Sequence, residues 1–427
     1  MPFRSLCVLT MLMLAACAAN PTGQQGTAEP LATEMATATP TEIPTLATSE
    51  NTPVSALTLS VWLPELLAPG NNQAATLVLT QQIDNFRATQ PDVLVQTRLK
   101  RAEGKGGIMA TMLSASDVAP ASLPDLTLIR RQDLRQAVQT GLAQPLDGRL
   151  AAAVTSDLYT AALRLGQVNG RLYGLPYTLE VLHIAYRPPQ TDFAHFEDVI
   201  DSGRRLVMPL GQVNGISEVF LVQYLAAGGS VVNGNLGPLN VDALRTVLEF
   251  YEQAIAADVI DTSVLNYPAP SDYQAGLLDE RIQAAVVTSE MYLDLLAAGQ
   301  EMETAPIPVD SGLPTTSIDG WMWLLTAKSP DRQQAALRFL QWMFDSERQA
   351  AYTRAIAMLP STQSAMSSWG NGDYTDFVDS ILVNAVLPLD DNEGNSSARM
   401  LQNALIAVIS GEASAAEIVQ DVADQMD

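Results

Sequence analysis

The sequence predicts an α/β fold divided into two lobes, and three observations predict it. Apolar residues recur in short runs whose period switches between two and about 3.6, with no internal repeat. The first runs read strand, helix, strand, a βαβ opening whose parallel strands need helices over their faces. About 370 residues follow residue 55, more than one hydrophobic core usually holds, so size alone calls for two lobes.

The elements follow in order. Residues 57–62 alternate as a strand, 74–89 carry an amphipathic helical stripe, and 93–99 alternate again. Residues 108–115 read as helix. After Pro124 and Asp125, 126–129 form a buried strand, and 134–142 a short helix stopped at Gly141. Residues 172–176 and 181–186 bracket a long extended stretch, ended by Arg187, Pro188 and Pro189, which is able to cross between lobes. Helices follow at 217–227, closed by Gly228 and Gly229, at 241–257 and at 273–278. Residues 282–287 are a strand, 291–298 a helix and 321–325 a strand. Residues 330–344 form a helix starting at Asp331, with 347–356 as its continuation. Helices at 377–386, 398–410 and 415–426 close the chain.

The N-terminus predicts an address. An apolar run from Leu6, led by Arg4 and too short to span a bilayer, ends in Leu14, Ala15, Ala16 and Cys17. These four residues resemble a bacterial lipoprotein signal, cleaved before the cysteine. The resemblance implies a signal peptide over 1–16 and a lipidated Cys17, whose acyl chains would anchor the protein to the membrane. From Ala18 to about Ser55 the chain is rich in Thr, Pro, Ala, Ser and Glu and too poor in apolar residues to offset its ordering entropy. Residues 17–55 therefore read as a tether.

Composition excludes several classes of function. With 23 basic against 47 acidic residues and a formal charge of −24, the chain is unsuited to nucleic acid, whose recognition needs clustered Lys and Arg. Cys7 leaves with the signal and Cys17 is the lipid site, so the body has no internal disulfide and no thiolate metal ligands. His183 and His195 are too far apart to form a zinc cluster, and both read as structural. There is no G-x-S-x-G elbow and no Walker A loop. Gly104 and Gly106 lack the third glycine of a dinucleotide fingerprint, Met109 standing in its place, and read as a surface turn. Asp390, Asp391, Asn392 and Glu393 before Gly394 miss the spacing of a calcium loop and read as a solvated loop between helices. No cofactor and no metal are expected.

Several segments, in their order along the chain, carry a family resemblance. They are Tyr173 Gly174 Leu175 Pro176 Tyr177 followed by Ala185 Tyr186 Arg187; Ala226 Ala227 Gly228 Gly229; Gln283 Ala284 Ala285 Val286; Ala327 Lys328 Ser329 Pro330 before Ala335, Phe339 and Leu340; and Leu359 Pro360 Ser361. Together they resemble the extracellular solute-binding proteins of ABC importers, the maltose-binding-like family, over nearly the whole body. The resemblance implies a periplasmic-binding-protein-like fold of type II, with hinge strands joining lobe one (56–180 and 318–384) to lobe two (181–317 and 385–427). It also implies a monomer that closes on a small polar solute, a sugar by the family's example, and delivers it to the permease subunits of the importer.

Candidate ligand contacts lie where loops leave the carboxyl ends of strands. Trp62 and Glu65 follow the first strand, and Arg131 and Gln132 the third. Tyr177 and Glu180 lie on the crossing strand, and Glu218 opens a lobe-two helix, positions where the resemblance implies ligand contacts. Ser289, Glu290 and Tyr292 occupy the turn where many family members have a tryptophan. Asp319, Trp321 and Trp323 flank the return to lobe one, one tryptophan being expected to face the cleft and the other the core. Of these, Trp62, Glu65, Arg131, Tyr177, Glu180, Glu218, Tyr292, Trp321 and Trp323 are the candidate contacts, aromatic faces stacking on sugar rings and carboxylates accepting from hydroxyls. Two other readings stay open: a lipid-anchored glycoside hydrolase using carboxylates such as Glu65 and Glu180, and a subunit reporting ligand to a membrane kinase.

Overall fold

The computed structural model describes residues 56–67, 72–189, 191–370 and 372–424. The expected signal peptide, Cys17 and the tether lie outside these residues. Among the described residues no helix is long and apolar enough to cross a membrane.

The βαβ opening forms as its periodicity requires. Leu57–Pro64 pairs in parallel with Val93–Lys100 along its whole length and with Leu126–Arg130 near its end. Between the first two strands runs the helix Gln73–Thr89, where the Asn72 side chain accepts from the Ala75 N–H at 3.0 Å. Its buried Ala75, Leu79, Gln82 and Phe86 fall on one stripe. Trp321–Leu325 then joins antiparallel to Leu126–Arg130, and Gly174–Pro176 antiparallel to it, completing a five-stranded sheet. The sheet is thus mixed where parallel strands were expected. Both its faces are covered: Leu59, Val61, Trp321, Trp323 and Phe339 belong to one apolar cluster, and Trp62, Ile108, Ile129, Leu134 and Met322 to the other.

The expected extended stretch is a nine-residue strand, Thr178–Tyr186, roughly 30 Å long at the usual rise per residue. Its first half pairs antiparallel with Leu359–Pro360 and Ile318–Asp319, and its second half with Ala284–Thr288 and Glu303–Ala305. It thereby runs from the first sheet's surroundings into a second, mainly helical core. There Ile184 and Tyr186 meet Phe220, Leu244, Tyr251 and Leu405. The fold is the two-lobed, type II arrangement of a periplasmic binding protein. Near residue 387 the chain passes between the two sides once more: Leu387 packs against the first lobe's outer cluster, whereas Leu389 belongs to the second lobe's core.

Two elements depart from expectation in ways that matter for the site. The third strand ends at Arg130, and the next helix starts at once with Arg131, spanning Arg131–Gln139 rather than starting at 134. Residues 347–356 do not continue the preceding helix. Pro330–Met343 stops, and Asp345 caps a separate helix, Ser346–Ala355, by accepting from the Arg348 N–H at 3.3 Å.

Candidate inter-lobe site

A strand end, a crossing strand and a return segment converge on one guanidinium. Register sets Glu180 directly opposite Asp319 and Trp321 opposite Arg130. Two like charges facing across a strand pair repel, and Arg130 resolves the conflict. Its Nη1 donates to Asp319 Oδ2 at 2.7 Å, its Nη2 lies 3.5 Å from Glu180 Oε2, and its guanidinium lies 5.1 Å from the Trp321 ring centroid. Burial works against the Arg130 charge, but Asp319 and Glu180 more than offset it, so the group stays protonated with its pKa raised. Glu180 is pushed up by burial despite Arg130.

The second lobe contributes two further carboxyls. Glu218 is the first residue of the helix Glu218–Ala226, and its Oε2 accepts from Ser317 Oγ at 2.8 Å. Glu290 is the second residue of Ser289–Ala297, a helix tied to the crossing strand by the Val181 N–H donating to Ser289 Oγ at 3.2 Å. Burial, the largest cause in both, pushes Glu218 and Glu290 up to about 7. The Ser317 hydrogen bond partly counters this for Glu218, while Glu180 adds to it for Glu290. Glu218 presents open surface, yet protein walls replace most of the bulk water that would stabilise its charge. Beside Glu218 and Asp319 is a cavity of about 470 Å³, whose walls include Gln132, Asp133, Asn214 and Glu393. That volume is within the usual range for small-molecule sites.

The expected contacts divide sharply. Glu180 and Glu218 stand at the site, while Glu65 is exposed on the single 3-10 turn Glu65–Leu67 after the first strand. All five expected aromatics are buried, none more than 6% exposed. Trp62 packs with Ile108, Met109 and Met112. Tyr177 lies edge-on to Trp323 and Phe344, and Tyr292 packs against His183 and Tyr374. Trp321 and Trp323 share the same core cluster, which corrects the expectation that they divide between cleft and core: residues two apart in a strand point to one face. Of the five, only Trp321 touches the polar cluster, through Arg130.

Arg131 lines the same cavity, but its Nη1 donates to the carbonyls of Leu165 at 2.6 Å and Gln167 at 2.8 Å, and its Nη2 to Asp390 Oδ1 at 2.6 Å, so both terminal nitrogens are held by the protein. Asp390 in turn is only 8% exposed at its side chain, and Asn392 exchanges hydrogen bonds with the backbone of Ile216. The segment is the expected loop between helices, exposed at Asp391, Glu393 and Gly394, but it is anchored to the protein at Asp390 and Asn392. Sequence reasoning missed Arg130, whose signal was its place as the strand's last residue. It also favoured Tyr292 over the neighbouring Glu290, although a helix's first turn favours an acid. Among the described residues no cluster of ligands suited to a metal ion occurs.

A family model for bacterial extracellular solute-binding proteins matches residues 81–375. The chain belongs to that family. This solute-binding protein accordingly works outside the cytoplasm. No curated protein matches it, but its fold is shared with solved structures of low identity. The cyclic α-maltosyl-1,6-maltose binding protein of Arthrobacter globiformis is 18% identical, with a TM-score of 0.64 over 86% of this chain and 96% of that one. A maltodextrin binding protein from L. casei is 13% identical, with a TM-score of 0.65 over 86% and 97%. The GacH receptor of Streptomyces glaucescens, solved unliganded and with acarbose, is 18% identical, with a TM-score of 0.60 over 87% and 97%.

Proposed function

We propose that this solute-binding protein captures a small, hydroxyl-rich solute, a sugar or short oligosaccharide, between its lobes and delivers it to an ABC importer's permease. The observation that carries this reading is the convergence of Arg130, Glu180 and Asp319 with Glu218 and Glu290 of the second lobe beside a cavity of about 470 Å³. Carboxylates accept hydrogen bonds from sugar hydroxyls, and charge-assisted bonds of this kind are about twice as strong as neutral ones. Arg130 holds the like-charged Glu180 and Asp319 in place and offers donors to ring and hydroxyl oxygens. Binding then shifts the lobes toward the arrangement with more contacts, by as much as the solute prefers it. The structural neighbours, which bind maltose-type sugars or acarbose, support the solute class. Aromatic stacking is not part of this mechanism, since the five expected rings are packed in the protein's cores.

The Cys17 anchor belongs to the same proposal. A lipid on Cys17 would keep the body near the membrane and its permease, and cell fractionation tests it: Cys17→Ser should move the protein from the membrane pellet to the soluble fraction. The solute is tested by thermal shift with maltose, maltotriose, spermidine and amino acids. A ligand that binds only the folded state raises its melting temperature. A rise with maltose or maltotriose is the expected result, whereas a rise with spermidine alone would replace the sugar reading by a cationic one.

A further inference from the structure

The cleft arginine is bonded in sequence to a second device. Arg131 and Arg135 lie four residues apart on one face of the helix Arg131–Gln139, and both grip Asp390: Arg131 Nη2 reaches Oδ1 at 2.6 Å and Arg135 Nη2 reaches Oδ2. Asp390 lies just past the last crossing of the chain, next to Leu389 of the second lobe's core. Its backbone N–H donates to the Gly234 carbonyl at 2.8 Å, and Arg135 Nη2 also donates to the Asn233 carbonyl at 3.3 Å. Asn233 and Gly234 form the tip of the hairpin Val231–Val232 and Asn235–Leu236, with φ of 51° and 79°. A Cβ on Gly234 would fall 1.9 Å from Asp390 Oδ2, so a glycine is what lets the tip approach the carboxylate. Leu236 packs on the second lobe's core and Leu134 in the first lobe's outer cluster.

One buried carboxylate therefore holds a first-lobe helix against a second-lobe hairpin. It also stands in the wall shared by two cavities, the one beside Glu218 and another of about 510 Å³ lined by Arg164, Gln167, Leu225 and Ser230. We infer that Asp390, Arg131 and Arg135 are a clasp that fixes the angle between the lobes and, through the peptide link between Arg130 and Arg131, positions the cleft guanidinium. Rotation of the lobes about the crossing strand carries Arg135 and Asn233 apart, because they ride on different lobes. Loss of the carboxylate removes the second-lobe anion that both first-lobe guanidinium groups hold, leaving the weaker contact of Arg135 with the Asn233 carbonyl, so the lobes are freed to separate. Asp390 is on this account a positioning residue, and the lobe angle, set before any solute arrives, governs affinity.

The test measures the angle in the ligand-free protein. With Cys17→Ser removing the native thiol of the mature chain, spin labels at Val118→Cys and Glu249→Cys, both exposed and away from the clasp, report the inter-lobe distance by pulsed electron resonance. Asp390→Ala should shift the distribution to longer distances by several ångströms and broaden it. Arg135→Gln keeps the Arg131 pair and should give a smaller shift in the same direction. Because Arg135 is part-exposed, that variant remains informative should Asp390→Ala fail to fold. Distributions identical to the parent in folded variants, or shifts to shorter distances, overturn the clasp.

Discussion

The polar cluster around Arg130 and the aromatic cluster around Trp323 are built from the same three segments, yet they do opposite work. The end of the third strand, the start of the crossing strand and the return strand supply Arg130, Glu180 and Asp319 to one, and Leu128, Tyr177 and Trp323 to the other. Moving two to four residues along each segment changes a core position into a cleft position. The aromatic side chains go inside because each removes a large apolar surface from water. The charged ones stay at the strand ends, where part of the solvation they need survives. Residue type thus sorts the two regions more firmly than position along a strand, and an aromatic at a strand end is not evidence of a stacking platform.

The comparison breaks most visibly at Trp323. Its ring is 2% exposed and meets Tyr177 and Phe339 edge-on at 5.9 and 6.1 Å. Trp323→Ala should therefore cost about 3–5 kcal/mol of stability, as large-to-small changes in well-packed cores do, while the folded fraction binds solute as the parent does. Urea unfolding and calorimetric titration separate the two quantities. Lost affinity at parental stability would return the ring to the cleft.

This sorting also explains what was legible in the sequence. The βαβ opening, the long crossing strand and the helices at 241–256 and 396–410 were readable because their apolar periodicity extends over many residues. The order of short segments such as Leu359, Pro360 and Ser361 pointed to the family. Glu180, on the crossing strand, and Glu218, at a helix start, were readable because the family resemblance marked those positions. Arg130 was not, because whether Arg130 or Arg131 enters the site depends on where the strand stops, and boundaries turn on hydrogen bonds that periodicity does not encode. The pairing of Asp390 with Arg131 and Arg135 spans more than 250 residues of sequence, and no local pattern announces it.

At the polar cluster the expected effects are smaller. Arg130→Met leaves Glu180 opposite Asp319 with no cation between them. The pair is about one-fifth exposed, so solvent screens part of the repulsion, and a loss on the order of 2 kcal/mol in stability is expected from urea midpoints, with solute binding abolished. Glu180→Gln removes a charged acceptor without changing shape. It should weaken solute binding by about 1–3 kcal/mol and leave stability near the parental value, because it also relieves repulsion with Asp319. Tyr292→Phe is the contrasting change: its hydroxyl donates only to the Met302 carbonyl at 3.3 Å, and affinity should not move. Equal losses of affinity in Glu180→Gln and Tyr292→Phe would erase the distinction between the two regions.

The smallest effect sharpens the comparison through pH. Glu218 and Glu290 titrate near 7 in the folded protein, against 4.5 for an ordinary glutamate. Between those values the folded state binds more protons than the unfolded one, so the stability these two groups contribute falls as pH rises through that interval. Carboxylates held low, such as Asp261 beside Ser263 and Arg205, act in the opposite sense, but only below about pH 4. His183, which burial holds down at about 4 against an ordinary 6.5, also acts in the opposite sense, up to about pH 6.5. The melting temperature should therefore decline from pH 6.5 to pH 7.5, and Glu218→Gln or Glu290→Gln should each flatten that decline. The core variant Tyr292→Phe, whose phenol does not titrate in this interval, should keep the parental slope. A slope unchanged in both glutamine variants would mean that these carboxyls are solvated in the folded protein, and that the walls around them do not raise their pKa.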